Sequence, residues 1–245
     1  MTAPAPDSGL DARLGALRES IAAAARAAGR DPGAITLVGI SKRQPAPRLV
    51  AAVRAGVREL GESFAQEARD KLPEVLAALA RADLPTPRLH FVGRLQTNKA
   101  RLVAPLFDVV HSIDRAELAT ELGRRARRVE KTLDGLLQVN VSHEPQKAGV
   151  APNDAADLLD HCGGVSGLRI VGLMGMAAAA APSERRRAFA HLRELRDTLV
   201  VGSGHALPEL SMGMTDDYEL AIAEGATIVR IGTALFGPRD PQDPQ

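Results

Sequence analysis

Ile35-Thr36-Leu37-Val38-Gly39-Ile40-Ser41 is a short, continuously apolar run with several β-branched residues, and Lys42 follows it directly. Such a run reads as a strand buried on both faces, the kind found in a parallel sheet covered by helices. A lysine at its carboxyl end then stands where these sheets open onto a ligand site. An amine that is part desolvated there is a good nucleophile toward a carbonyl, because burial disfavours its ammonium form. A lysine snorkelling at a strand end gives the same local pattern, so the rest of the chain has to decide.

Upstream, residues 11–30 place Leu14, Leu17, Ile21 and Ala25 at helical spacing, and the pattern stops near Gly29 and Pro32. Downstream, helix 45–56 leads to strand 57–62, and helix 64–82, with a bend expected at Pro73, leads to strand 89–93. Helix 98–106, strand 109–113, helix 115–131 and strand 135–141 continue the alternation. It ends with helix 152–161, strand 168–174, helix 183–199, strand 209–212, helix 216–224 and strand 227–231. Eight strands alternating with helices in 245 residues predict an α/β fold, a single (β/α)8 TIM barrel, for which about 250 residues is typical. Too little chain follows Phe236 for an eighth helix, so the N-terminal helix is expected to fill that gap in the outer ring. Residues 9–237 form the expected barrel, with residues 1–8 and 238–245 as flexible ends.

Composition excludes several function classes. The chain is 45% hydrophobic, enough for a sizeable core, and its 31 basic and 30 acidic residues make no case for a nucleic-acid or anionic-membrane partner. Arg124-Arg125-Ala126-Arg127-Arg128 spreads its charge around a helix, and aromatic residues for base stacking amount to only 2%. No run approaches the roughly 20 apolar residues of a membrane span, and the Pro- and Ala-rich start does not read as a secretory signal. Cys162 is the lone cysteine, which rules out an internal disulfide and fits a reducing, cytoplasmic setting. The six histidines are scattered without zinc spacing, so no metal is expected.

In a barrel of this kind the strand carboxyl ends share one mouth. Lys42, Glu62, Ser63, residues 93–98, His111, Ser112 and residues 140–147 fall there, as do residues 174–176 and 211–217, Gly232 and Thr233. Leu210-Ser211-Met212-Gly213-Met214-Thr215-Asp216 and Arg230-Ile231-Gly232-Thr233 follow the last two strands, where barrels often bind phosphate. Glycine lets the backbone come close to a ligand, successive N–H groups can converge on an anion, and the hydroxyls of Ser211 and Thr233 add donors. The same residue types also make ordinary turns. Arg230 alternates with Val229 and Ile231, which points it into the barrel. Its partner there is either a structural carboxylate or a ligand ring nitrogen kept unprotonated by the permanent guanidinium charge.

Five blocks then appear in order: Gly39-Ile40-Ser41-Lys42; Gly61-Glu62-Ser63-Phe64-Ala65-Gln66-Glu67; His90-Phe91-Val92-Gly93-Arg94-Leu95-Gln96-Thr97-Asn98-Lys99; Ser211-Met212-Gly213-Met214-Thr215-Asp216-Asp217; and Arg230-Ile231-Gly232-Thr233-Ala234-Leu235-Phe236-Gly237. Together they closely resemble the pyridoxal 5′-phosphate (PLP) homeostasis protein family, also called the proline synthetase co-transcribed homologue family, across nearly the whole chain. The resemblance implies a barrel like the N-terminal domain of alanine racemase, without that enzyme's C-terminal β domain, holding PLP as an internal aldimine on Lys42. It further implies that Ser211, Gly213, Met214, Gly232 and Thr233 surround the phosphate and that Arg230 faces the pyridine nitrogen. An arginine partner leaves the pyridine a poor electron sink. Ser63 and Thr215 stand where the family more often has Asn and Ser; the first loses an amide near the ring and the second keeps a hydroxyl. Lys147, in the mouth-side block 141–149, is a second amine for transient acceptance of PLP.

The function expected on these grounds is a PLP carrier that contributes to intracellular vitamin B6 homeostasis, buffering the cofactor or passing it to apo PLP-dependent enzymes, as a monomer or a dimer. One alternative is a PLP enzyme, a racemase or decarboxylase of small amino acids with Lys42 as base. Another is a phosphate-binding, aldolase-like barrel in which Lys42 forms a Schiff base with a sugar. Racemases of this barrel type need a tyrosine base facing the lysine, and the lone Tyr218 falls in the helix after strand seven.

Overall fold

Eight short strands pair in chain order, all parallel, and the last returns to the first. They are β1 (Thr36–Ile40), β2 (Glu59–Glu62), β3 (Arg88–Phe91), β4 (Val109–Ile113), β5 (Leu133–Gln138), β6 (Leu168–Met174), β7 (Glu209–Ser211) and β8 (Ile228–Ile231). The structure, a computed structural model, describes residues 8–141, 148–178 and 180–237. Among these residues the barrel is ringed by helices α1 (Ser8–Ala27), α2 (Ala46–Arg54), α3 (Ala65–Arg81), α4 (Ala100–Val103), α5 (Ala116–Arg127), α6 (Ala155–Gly163), α7 (Pro182–Ser203), α8 (Tyr218–Ala223) and α9 (Thr233–Phe236).

Strand residues alternate between two cores, as period-two pleating under a helical layer demands. Leu60, Leu89, Val110, Leu137, Leu173, Leu210 and Val229 join the large core between strands and helices. Val38, Val109, Leu136, Met174 and Ile228 form a small core inside the barrel, with Ile40 and Val171 packed on it. Gly39 belongs to the outer side, because a Cβ there would stand 2.8 Å from Leu235 Cδ2.

The N-terminal helix occupies the expected gap. α1 packs on α8, α9 and α2. It buries Leu10, Leu14, Leu17 and Ile21, each such side chain stabilising by about 1.5–3 kcal/mol. Polar ties reinforce the seam: Arg13 Nε donates to Leu235 O at 2.9 Å, and Ser20 Oγ and the Tyr218 hydroxyl lie 2.7 Å apart.

Several boundaries differ from the sequence-based expectation, each for a local reason. β5 ends at Gln138: Val139 still donates to Met174 O of β6 at 2.9 Å, but among the described residues its only bridge pairing is to Val150 and it stays buried, so the apolar run outlasts the strand. The helix expected over 98–106 is a 3-10 turn, Thr97–Lys99, followed by the four-residue α4. α3 runs through Pro73 uninterrupted; the carbonyl one turn earlier belongs to exposed Arg69, which water can serve. α8 starts only at Tyr218, because Asp217 Oδ1 takes the Met214 N–H at 2.7 Å and holds that segment as a turn.

Candidate functional site

Two residues, Ser41 and Lys42, follow β1 at its carboxyl end. Ser41, fully buried, turns outward and donates from Oγ to Glu62 Oε1 at 2.7 Å. Val38 and Ile40 face the barrel interior, and Lys42, partly buried, lies in the turn that leaves the carboxyl end of β1. Lys71 of α3 pins this turn, its Nζ lying 2.8 Å from Ser41 O, 3.1 Å from Gln44 O, 2.7 Å from Glu62 Oε1 and 2.6 Å from Glu67 Oε1. Arg43, at φ 61°, is held in the left-handed region by donating its N–H to Glu67 Oε1 at 2.5 Å. That conformation costs a non-glycine residue roughly 1 kcal/mol, which the bonds to α3 offset.

Glu62, expected at the mouth, instead faces the helix layer. Gly61 takes the inward position beside Val38 and Ile40, so the next residue must point out. Burial raises the Glu62 pKa, and Lys71 acts against that rise. Its Oε2 has no partner among the described residues.

Across the barrel seam, β8 pairs with β1 so that Arg230 is the partner of Val38. Lys42, which follows β1, therefore lies beyond the Arg230 level toward the strand carboxyl ends. Arg230 is buried; its Nη1 donates to Ser211 Oγ at 2.6 Å and its Nη2 to Gly175 O at 3.2 Å. Among the described residues its partners are thus a hydroxyl and a carbonyl, not the carboxylate that sequence left open. Burial lowers its pKa to about 10, with Asp217 working the other way, so it stays cationic at neutral pH. Ser211 is fully buried, and its hydroxyl also meets His111 Nδ1 at 2.9 Å. Burial, with the charges of His90, Arg230 and Arg88, holds the His111 pKa well below the usual imidazole range, so the ring is neutral.

The loops after β7 and β8 form the remaining wall. Gly213 has φ 91°, and a Cβ there would stand 2.6 Å from Ala221 Cβ and 2.9 Å from Tyr218 Cα, so glycine alone lets the loop lie on α8. Met214 is exposed. Gly232 caps α9, accepting from the N–H groups of Leu235 and Phe236 at 3.0 and 2.9 Å. Thr233 and Ala234 open that helix, and their amides have no carbonyl one turn back to bond. On the β2–β4 side of the same face a depression of about 610 Å³ is lined by Phe64, Arg94, Gln96, Lys99 and Arg115 among others, but by neither Lys42 nor Arg230.

Other sequence candidates stand apart. Tyr218 is tied to Ser20 in the outer layer. Cys162 is buried, which pushes its thiol up to about 12, outside the range of a neutral-pH nucleophile. Arg124 and Arg125 pair with Glu121 on the surface of α5. Lys147 lies outside the described residues. Sequence reasoning gave no role to Lys71, and it placed His111 at the mouth without a partner. The inward parity of His111 in β4 was readable; its bond to a serine 100 residues away was not.

Among the described residues no helix is long and apolar enough to cross a membrane. Residues 12–240 match the family described as alanine racemase, N-terminal domain. A pyridoxal phosphate homeostasis protein of Pseudomonas aeruginosa is 45% identical over 218 residues, covering 89% of this chain and 90% of that one. PipY of Synechococcus elongatus PCC7942, solved with PLP bound, is 35% identical with a TM-score of 0.79, covering 93% of this chain and all of its own. A crystal structure described as an unknown protein from Bifidobacterium adolescentis superposes with a TM-score of 0.88 at 36% identity, over 96% of this chain and 97% of that one. Barrel, strand order and identity over most of the length agree: the chain belongs to the alanine racemase N-terminal-domain family and, within it, to the pyridoxal phosphate homeostasis proteins.

Proposed function

We propose that this protein binds pyridoxal 5′-phosphate, holds it covalently on Lys42, and buffers or delivers it to apo PLP-dependent enzymes. The observation that supports this is that Lys42 follows the carboxyl end of β1 while Arg230, on the adjacent hydrogen-bonded β8, is buried at the level of Val38 of β1. When bound, PLP supplies an aldehyde for a primary amine and, with its ring nitrogen unprotonated, little capacity as an electron sink. The donor set suits that group. Lys42 offers the amine, Arg230 a buried cation with no carboxylate on it among the described residues, and Gly232 and Thr233 a close-approach backbone for the phosphate. Gly213 and Met214 bound the phosphate end from the β7 loop, and Ser211 lies at the base of the same cup.

A carrier is favoured over a catalyst by the position of the lone tyrosine. Tyr218, hydrogen-bonded to Ser20, is turned toward α1 and away from the mouth, so a racemase-like tyrosine base is not at hand. The single buried cysteine supports a cytoplasmic setting.

Borohydride reduction followed by peptide mapping tests the assignment. A PLP label is expected on the peptide that contains Lys42 and is expected to be absent from a Lys42→Ala protein, which keeps a weaker, noncovalent hold through the phosphate. Full labelling of another lysine would overturn the attachment site, and a native protein that stays colourless with excess PLP would overturn the function.

A further inference from the structure

A line of hydrogen bonds crosses the barrel interior beneath the mouth. Arg230 Nη1 lies 2.6 Å from Ser211 Oγ, Ser211 Oγ 2.9 Å from His111 Nδ1, His111 Nε2 2.8 Å from His90 Nδ1, and His90 Nε2 2.5 Å from Glu59 Oε2. The five residues come from β8, β7, β4, β3 and β2, and Ser211, His111 and His90 are at most 1% exposed. We propose that Ser211, His111 and His90 form a positioning relay anchored on Glu59, which fixes Arg230 for the ring nitrogen of the cofactor, and that the Ser211 hydroxyl is committed to this relay rather than to the phosphate. The proposal rests on the PLP site described above.

The direction of the relay follows from donor and acceptor counts. A guanidinium only donates, so Ser211 Oγ accepts from Arg230. The far end is a carboxylate, which only accepts, so His90 Nε2 carries a hydrogen and donates to Glu59. With a hydrogen on Nε2 alone, His90 presents a bare Nδ1, which His111 Nε2–H fills. That leaves His111 Nδ1 bare, and the single hydroxyl hydrogen of Ser211 goes there. With its one hydrogen committed, Ser211 has none to donate to an anion. A His90 with hydrogens on both nitrogens would turn His111 over, so that Ser211 accepts from Arg230 and His111 alike and its hydrogen is free for an anion, the outcome that the phosphate competition below separates.

The arrangement separates Arg230 from the Glu59 carboxylate by a hydroxyl and two imidazoles. A carboxylate in direct contact would take the guanidinium fork in bidentate fashion and compete with a ring nitrogen. Routed through a hydroxyl and two imidazoles, the anion holds the cation in place and leaves other N–H groups of the fork for a ligand. Partners of this kind orient a binding group much as second-layer carboxylates orient metal-binding histidines.

The test compares Ser211→Ala, His111→Leu and His111→Gln with the parent protein and with Arg230→Ala. Readouts are the visible spectrum of bound PLP, the PLP dissociation constant, and competition by inorganic phosphate. Ser211→Ala and His111→Leu are expected to shift the spectrum in the direction of Arg230→Ala and to weaken PLP roughly tenfold, the worth of one hydrogen bond to a charged group. Phosphate competition stays unchanged, the two effects do not add in the double variant, and His111→Gln, which can accept and donate, restores the parent spectrum. Ser211→Ala removes one atom, so it carries the test even where His111→Leu fails to fold. A Ser211→Ala protein that loses inorganic phosphate as strongly as PLP, or keeps the parent spectrum, would overturn the relay. A parent protein that takes up no PLP at all would instead overturn the underlying function.

Discussion

Lys71→Met would cut the link between α3 and the Lys42 turn while leaving the inward side chains of the mouth in place. The Lys71 and Glu62 side chains are 10% and 1% exposed, which puts them with buried ion pairs, where losing one partner costs about 3–5 kcal/mol, and not with surface pairs at about 0–1 kcal/mol. The carbonyls of Ser41 and Gln44 lose a charged donor as well, but Glu62 can take up a proton, which limits the total to about 4 kcal/mol at pH 8. Glu62 already has its folded pKa raised above the ordinary 4.5, so the folded chain binds more protons than the unfolded one just above that value. Stability from this group is therefore fully present below about pH 4.5 and is lost as pH rises through the folded pKa. Without Lys71 that pKa rises further, and the penalty grows between pH 5 and pH 8. Urea unfolding at both pH values measures it, and Glu62→Gln in the same background should recover about 2 kcal/mol at pH 8 by removing the stranded charge. A Lys71→Met protein within 1 kcal/mol of the parent at pH 8, or a penalty that does not shrink toward pH 5, would refute the reasoning.

Other substitutions read separate parts of the structure. Gly93→Ala would set a Cβ 2.0 Å from the Ser63 carbonyl oxygen, backbone against backbone, so calorimetry should find at least about 3 kcal/mol lost. Gly202→Ala, near the end of α7 with nothing within 4 Å, should instead be neutral or stabilising by up to about 1 kcal/mol, and equal losses at the two sites would be inconsistent with the packing described. Cys162, with its thiol pushed up to about 12, should resist thiol reagents at pH 8 in the native protein and react promptly once unfolded; fast native labelling would contradict its burial. Tyr218→Phe should cost about 1 kcal/mol through the lost bond to Ser20 and leave PLP attachment untouched, so a variant unable to take up PLP would place Tyr218 at the mouth after all.

How much was legible in sequence depended on the reach of each signal. β1 was read from a run of neighbours, and its apolar stretch lies within one residue of the strand found at each end. The inward turn of Arg230 followed from alternation within four residues of β8. β5 was misjudged because burial and strand pairing part company at Val139. Glu62 was drawn at the mouth because position along a strand was readable while the face it presents was not weighed. The bonds of Lys71 to Ser41 and Gln44 and the His90–His111 pair escaped notice because those partners come from other elements, and no local pattern marks such a bond.

The seam made by α1 has a consequence for how the chain acquires its shape. Its apolar stripe, Leu10, Leu14, Leu17 and Ile21, has its docking surface on α8 and α9, so a nascent polypeptide carries that stripe uncovered until residues near 236 have been made. The first helix of the barrel to be made is thus among the last of its elements to be sheltered, and the ring closes only once α9 has been made. The same adjacency brings Arg13 against Leu235, so a short peptide joining α9 to α1, with the barrel opened in an exposed loop elsewhere, should give a circular permutant of the barrel that folds.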